Sequence, residues 1–200
     1  MVNLSDKPAY HDTRSEFWRA HFDKASEYEE YLEGSDQEHV PRWRDSEKRV
    51  PALSEEQLNR LRGYDRKMNI LVYSGIWCGD CSRQGPLLKE LAGACGEKVK
   101  IRFIDREASP ELMDELRIVG ATRVPVLVFL SEDFWEMARF GERTLSVYRA
   151  KAAREIGREF EAGILSPKAR EKELADWADI FERVLIMLRL SPPLRRRHGD

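Results

Sequence analysis

Three short and nearly unbroken apolar runs constrain this chain most: MNILVYSG from Met68, KVKIRFID from Lys98 and VPVLVFL from Val124. Each is strand length, is rich in β-branched and aromatic residues, and stops at a polar or glycine signal, which predicts buried strands. Between the first two, Leu87, Leu88, Leu91, Ala92 and Cys95 recur at helical spacing over about 80–94. Strand, helix and strand make a βαβ unit with a parallel pair at the centre of the domain. The third run is followed by a fourth expected strand over Phe134–Phe140, and the short Ser-Glu-Asp connection predicts an antiparallel hairpin.

Helical patterns surround this centre. Phe17, Trp18, Phe22, Tyr28, Tyr31 and Leu32 predict one amphipathic helix from Thr13 to Gly34. Residues 35–52 read as a polar connection broken by Pro41 and Pro51, and Ser54 with Gln57 opens a short helix to about Arg62. Ser109-Pro110-Glu111 starts another, which Gly120 closes. Further helices are expected over Leu145–Ala162 and Lys168–Leu190, the latter stopped by Pro192-Pro193, with a frayed basic tail from Leu194 to Asp200. The aromatic stripe of the first helix, with Trp43, either packs on the central sheet or forms a dimer face.

Charge and cysteine usage limit the function. The 200 residues carry 34 basic and 36 acidic side chains, a formal net charge of -2, so the electrostatic footprint of a nucleic-acid binder is missing. No apolar run approaches bilayer length, and the charged first thirty residues contain no secretory apolar segment, so a soluble cytoplasmic protein is expected. Three cysteines cannot make an even disulfide framework. The four histidines are scattered without a paired spacing and are expected at the surface, so no metal site and no cofactor is expected.

The chemistry concentrates in Trp77-Cys78-Gly79-Asp80-Cys81, where the first strand gives way to a helix. This spacing sets two sulfurs one helical turn apart on one side, within reach of a disulfide. Cys78 stands at the helix mouth, where free backbone N–H groups and the dipole favour a thiolate, while Cys81 lies one turn inside and more buried. Cys78 is therefore the expected nucleophile and Cys81 the resolving thiol. Asp80 opposes a thiolate at Cys78, and Arg83 and Arg123 can offset it, so the sign of the net effect stays open.

These residues resemble the thioredoxin family. Trp77 precedes the first cysteine, Pro86 follows the second by five residues, Gly120-Ala121-Thr122-Arg123-Val124-Pro125 is similar to the family's glycine-to-proline segment, and Phe140-Gly141 matches its glycine beyond the hairpin. The resemblance covers about 67–151. It implies an α/β thioredoxin-like fold, a mixed central sheet flanked by helices, in which a cis proline at Pro125 faces the sulfurs. On that basis the chain divides into an N-terminal helical extension (1–65), a thioredoxin-like domain (66–163) and a C-terminal helix with a basic tail (164–200). The implied activity is thiol–disulfide exchange, with Trp77, Val124 and Pro125 as the client platform and Gly79 and Asp80 as the tuning pair. Partners would be client proteins with disulfides and a reductase or low-molecular-weight thiol as electron donor, and the chain would be a monomer or weak homodimer. Two positions depart from the family: Val72 stands where thioredoxins bury an aspartate, and Ser74 replaces a tryptophan. The alternative function is a non-catalytic interaction or redox-sensing module on the same fold.

Overall fold

The computed structural model describes residues 12–157 and 166–200. Four helices, α1 (Ser15–Lys24), α2 (Tyr28–Glu33), α3 (Val40–Glu47) and α4 (Glu55–Arg62), precede β1 (Met68–Ser74). The order continues with α5 (Gly79–Cys95), β2 (Val99–Asp105), α6 (Pro110–Glu115), β3 (Val126–Ser131), β4 (Glu136–Gly141), α7 (Leu145–Ile156), α8 (Pro167–Leu190) and α9 (Pro192–His198). The strands form one mixed sheet in the order β2-β1-β3-β4. β1 runs parallel to β2 across α5 and antiparallel to β3, and β3 and β4 form the expected hairpin. Every residue of β1 and β3 is buried, which is why both read as continuous apolar runs rather than alternating ones.

Register fixes where the chemistry falls. β1 ends with Tyr73 opposite Val126, so the segment entering β3, Val124 and Pro125, arrives beside the corner that leads from Ser74 to Cys78. Val72 pairs with Phe103 and Ile70 with Phe129, so all four side chains point to one face of the sheet. On that face Tyr31 stacks on Phe103 at 5.6 Å, Trp43 meets the same ring edge-on at 6.3 Å, and Phe181 of α8 meets Phe129 at 5.5 Å. Both ends of the chain thus contribute to one continuous core. The aromatic stripe and Trp43 pack inward here.

Several expectations are corrected. The helix expected over Thr13–Gly34 is two helices, because Ala25–Glu27 extends and Ser26 exchanges both backbone hydrogen bonds with Phe103, at 2.9 and 2.7 Å. This bridge caps the free edge of β2 and protects it from further pairing. The supposed polar connection contains α3: Pro41 takes an early helical position, where its missing N–H costs nothing, and Trp43 is fully buried. The tail is not frayed, since Pro192 and Pro193 start α9, Leu194 is buried, and Arg197 and His198 reach Asp133 at 3.0 and 2.7 Å. His21 is buried rather than superficial, its ring nitrogens bonded to the Phe17 carbonyl at 2.8 Å and the Ser109 hydroxyl at 3.0 Å. The helix that starts at Leu145 is described to Ile156, and the remainder of the expected span, beyond residue 157, lies outside the described residues.

Candidate functional site

The site is built at the turn from β1 into α5. The Cys78 N–H donates to the Gly75 carbonyl at 3.0 Å, closing a tight corner, and Cys78 caps α5 by accepting the Cys81 N–H on its sulfur at 3.4 Å. Trp43 buttresses this corner: its indole N–H donates to the Ile76 carbonyl at 2.8 Å, and its ring lies where a Cβ on Gly85 would be. Gly85 is required because a tryptophan from α3 occupies the space of its side chain. Pro86 follows inside α5, one turn past the site.

The structure brings the expected residues together. All three cysteines are free thiols, with Cys78 partly buried, and Cys81 and Cys95 buried. The Val124–Pro125 peptide is cis, and the Cys78 thiol donates to the Val124 carbonyl at 3.6 Å. Gly141 sits behind this segment, where a Cβ would come within 3.0 Å of the Pro125 carbonyl and 2.8 Å of Ile118, which explains a glycine after the hairpin. Trp77 stays 42% exposed at the mouth. Arg106 lies over its ring at 4.8 Å, and Arg42 donates to its carbonyl at 3.2 Å.

The question left open at Cys78 is resolved towards the thiolate. A hydrogen bond from the Cys81 thiol, followed by the backbone N–H groups of Cys81 and Asp80, lowers the Cys78 pKa to about 7 against burial and the Asp80 carboxylate. Burial, and then the neighbouring Cys78, push Cys81 well above an ordinary thiol. The two sulfurs are therefore unequal in the sense that exchange needs: one ionises near neutrality while the other holds its proton. Burial raises Cys95 to about 11, which suits a packing thiol.

A charged cluster under the site went unread in the sequence. Arg83 is buried and pairs with Asp80 at 2.9 Å and with Glu173 of α8, whose carboxylate is 0% exposed. Arg143 also binds Asp80, and Glu142 gathers Arg123 at 2.9 Å and Arg143 at 2.8 Å. Arg170, buried on α8, donates to the Arg83 carbonyl at 2.7 Å and the Ser46 carbonyl at 3.3 Å. Asp80 is thus an anion with two cationic partners, which blunts its effect on Cys78. Glu173 and Arg170 look like ordinary polar-face residues of an amphipathic helix, and nothing local in the sequence marks them as buried. Among the described residues, no group of His, Cys, Asp or Glu is arranged to hold a metal ion, and no helix is long and apolar enough to cross a membrane.

A mixed four-stranded sheet with a reduced CxxC on the β1–α5 corner and a cis proline against it defines a dithiol protein of the thioredoxin fold. The thioredoxin family model matches residues 25–155, and the chain belongs to that family. It is 30% identical over 64 residues to a thioredoxin of Rhodospirillum rubrum, a match covering 32% of this chain and 59% of that protein. Two solved structures share the fold: a protein of unknown function from Pseudomonas aeruginosa (21% identity, TM-score 0.58, 80% of this chain and 95% of that one) and an HIV epitope scaffold (19% identity, TM-score 0.59, 80% and 97%).

Proposed function

We propose that this protein is a thiol–disulfide oxidoreductase that reduces disulfides in client proteins, with Cys78 as nucleophile and Cys81 as resolving thiol. One observation carries the reading: a helix-mouth thiol with a pKa lowered to about 7 faces the Val124 carbonyl, and a second thiol that keeps its proton waits one turn behind. An extended client segment would pair with Val124 main-chain groups and lie against Trp77 and Pro125. The Cys78 thiolate attacks one client sulfur and expels the other as a thiolate. Cys81 then gives up its proton and attacks Cys78, the second client thiolate leaves, and a Cys78–Cys81 disulfide remains. Two electrons pass to the client. A reductase or low-molecular-weight thiol in the cytoplasm would return them, so no dissociable cofactor is required, and the chain would act as a monomer or weak homodimer.

The competing reading, a non-catalytic interaction or redox-sensing module, is favoured by Val72, a buried apolar residue where thioredoxins hold an acid. Reduction of insulin disulfides by dithiothreitol separates the two. Acceleration by the wild type that Cys78→Ser abolishes supports the enzyme, whereas no acceleration by the wild type supports the module.

A further inference from the structure

Val72, buried and apolar, gives Cys81 no acid from the middle of β1, so the polar groups at the end of that strand are what its sulfur meets. Ser74, the last residue of β1, is fully buried four positions before Cys78, and its backbone carbonyl is held by the Arg106 N–H at 2.7 Å. Tyr31 reaches the same corner from α2, its ring 5.7 Å from Trp43, which itself bonds the Ile76 carbonyl. The hydroxyls of Ser74 and Tyr31 are both buried, and neither reaches a well-formed hydrogen bond, although Ser74 lies near enough to act as a hydrogen-bonding neighbour of both the Tyr31 phenol and the Cys81 thiol. Leaving buried hydroxyls without well-formed hydrogen bonds is unfavourable, and an ionised sulfur at this corner would give both an acceptor.

We propose that Ser74 and Tyr31 are positioning residues for the resolving step: their hydroxyls donate to the Cys81 sulfur as it ionises. The inference rests on the dithiol reading above and assigns the part of the site that the family's acid leaves empty in this chain. A thiolate accepts charge-assisted hydrogen bonds, which are about twice as strong as neutral ones, so the pair stabilises the ionised form more than the thiol. The direction of the electrostatics agrees: the Ser74 hydroxyl and the Gly75 backbone lower Cys81 against burial, and Ser74 likewise lowers Tyr31. Besides burial, the groups that act electrostatically on Cys81 are Cys78 at the helix mouth, the Gly75 backbone just after β1 and Ser74 at its end; Cys81 in turn acts on the Tyr31 phenol of α2, as does Asp105 of β2. Asp80 and Arg83 stand on α5 itself, Arg83 being held by Glu173 of α8.

Tyr28 supplies the control. It packs in the same aromatic cluster, 5.5 Å from Phe103 and 6.0 Å from Trp43, and its hydroxyl is also buried, but apart from burial it answers to Glu47 rather than to the thiols. The experiment uses the full chain with Cys95→Ala, so that two thiols remain, and Cys78 loaded with a nitrothiobenzoate group through a mixed disulfide. Cys81 loses its proton to solvent, its sulfur attacks Cys78, the bond to the aromatic sulfur breaks, and the coloured thiolate leaves as the Cys78–Cys81 disulfide forms. The release rate is followed against pH.

Ser74→Ala is expected to slow release at neutral pH by about threefold to tenfold, because a higher thiol pKa removes thiolate faster than it adds nucleophilicity. Its pH profile moves upward by about one pH unit. Tyr31→Phe gives a smaller shift in the same direction, Ser74→Thr restores release, and Tyr28→Phe behaves as wild type. Wild-type profiles for both Ser74→Ala and Tyr31→Phe, or an equal loss in Tyr28→Phe, overturn the proposal, and Tyr31→Phe alone decides should Ser74→Ala fail to fold. Insulin inactivity of a wild type whose release still responds to Ser74→Ala removes the enzyme reading and leaves this one standing. A wild type that releases nothing removes both.

Discussion

The N-terminal helices hold the sheet with rings, Tyr28, Tyr31 and Trp43 around Phe103, whereas α8 adds Arg170 and Glu173, both buried, against Arg83 of the CxxC helix. The apolar burial behind ring packing is non-directional, so the loss of a ring strands no charge, although the packed rings leave no room for added atoms. A buried ion pair is not tolerant, because losing one partner strands the other charge in a low dielectric. Both attachments converge on α5, Trp43 from one side of the chain's order and Glu173 from the other. The site is therefore set by aromatic packing in its geometry and by α8 in its charge.

Trp43→Ala should have the largest effect. It removes a fully buried ring and the bond to the Ile76 carbonyl, and should cost about 3–5 kcal/mol, read from denaturant midpoints. Gly85→Ala tests the same contact from the opposite side, because the new methyl overlaps the Trp43 ring, and should cost about 1–3 kcal/mol. An unchanged midpoint in both would break the comparison, leaving the N-terminal helices as ornament.

Glu173 gives the next effect, through pH. Burial raises its pKa despite Arg83 and Arg170, so the folded protein holds this proton at a pH where the unfolded chain has released it. Stability from this group is therefore full below the ordinary glutamate pKa and declines as pH rises from there towards the raised folded value. Glu173→Gln should flatten that decline, seen as denaturant midpoints that vary less between acid and neutral pH. An identical slope in the variant would show that α8 does not set the local charge.

Asp80→Asn should produce the smallest shift. The carboxylate opposes the Cys78 thiolate, so the inflection of Cys78 alkylation by iodoacetamide should move from about 7 to lower pH. The shift is modest because Arg83 and Arg143 already partner the carboxylate. The same linkage gives the reduced protein a stability contribution at Cys78 that is full above the ordinary thiol value and lost as pH falls through about 7.

How much of this was legible in the sequence follows the range of the interactions. β1, β2, β3 and α5 could be read because their burial writes continuous or helical apolar patterns into neighbouring residues, and the CxxC is a local motif at a local corner. The break at Ala25–Glu27 was hidden, since it depends on a backbone bridge from Ser26 to Phe103, far along the chain. α3 was hidden by its polarity: one residue, Trp43, is fully buried, and the others are charged, exposed or only partly buried. Glu173 and Arg170 were hidden for the opposite reason, because charged residues on a long helix read as solvent-facing until Arg83 is placed opposite them. Ser74 was visible as a departure from the family, but its tie to Tyr31 required the fold.

Trapping of the mixed disulfide tests the central claim most directly. Cys81→Ser protein, reduced and then exposed to an oxidised disulfide-containing client such as insulin, is digested and mapped by mass spectrometry under non-reducing conditions. The account predicts a client chain joined to Cys78 that accumulates in Cys81→Ser and is fleeting in the wild type. An adduct on Cys95, or none at Cys78, would contradict it.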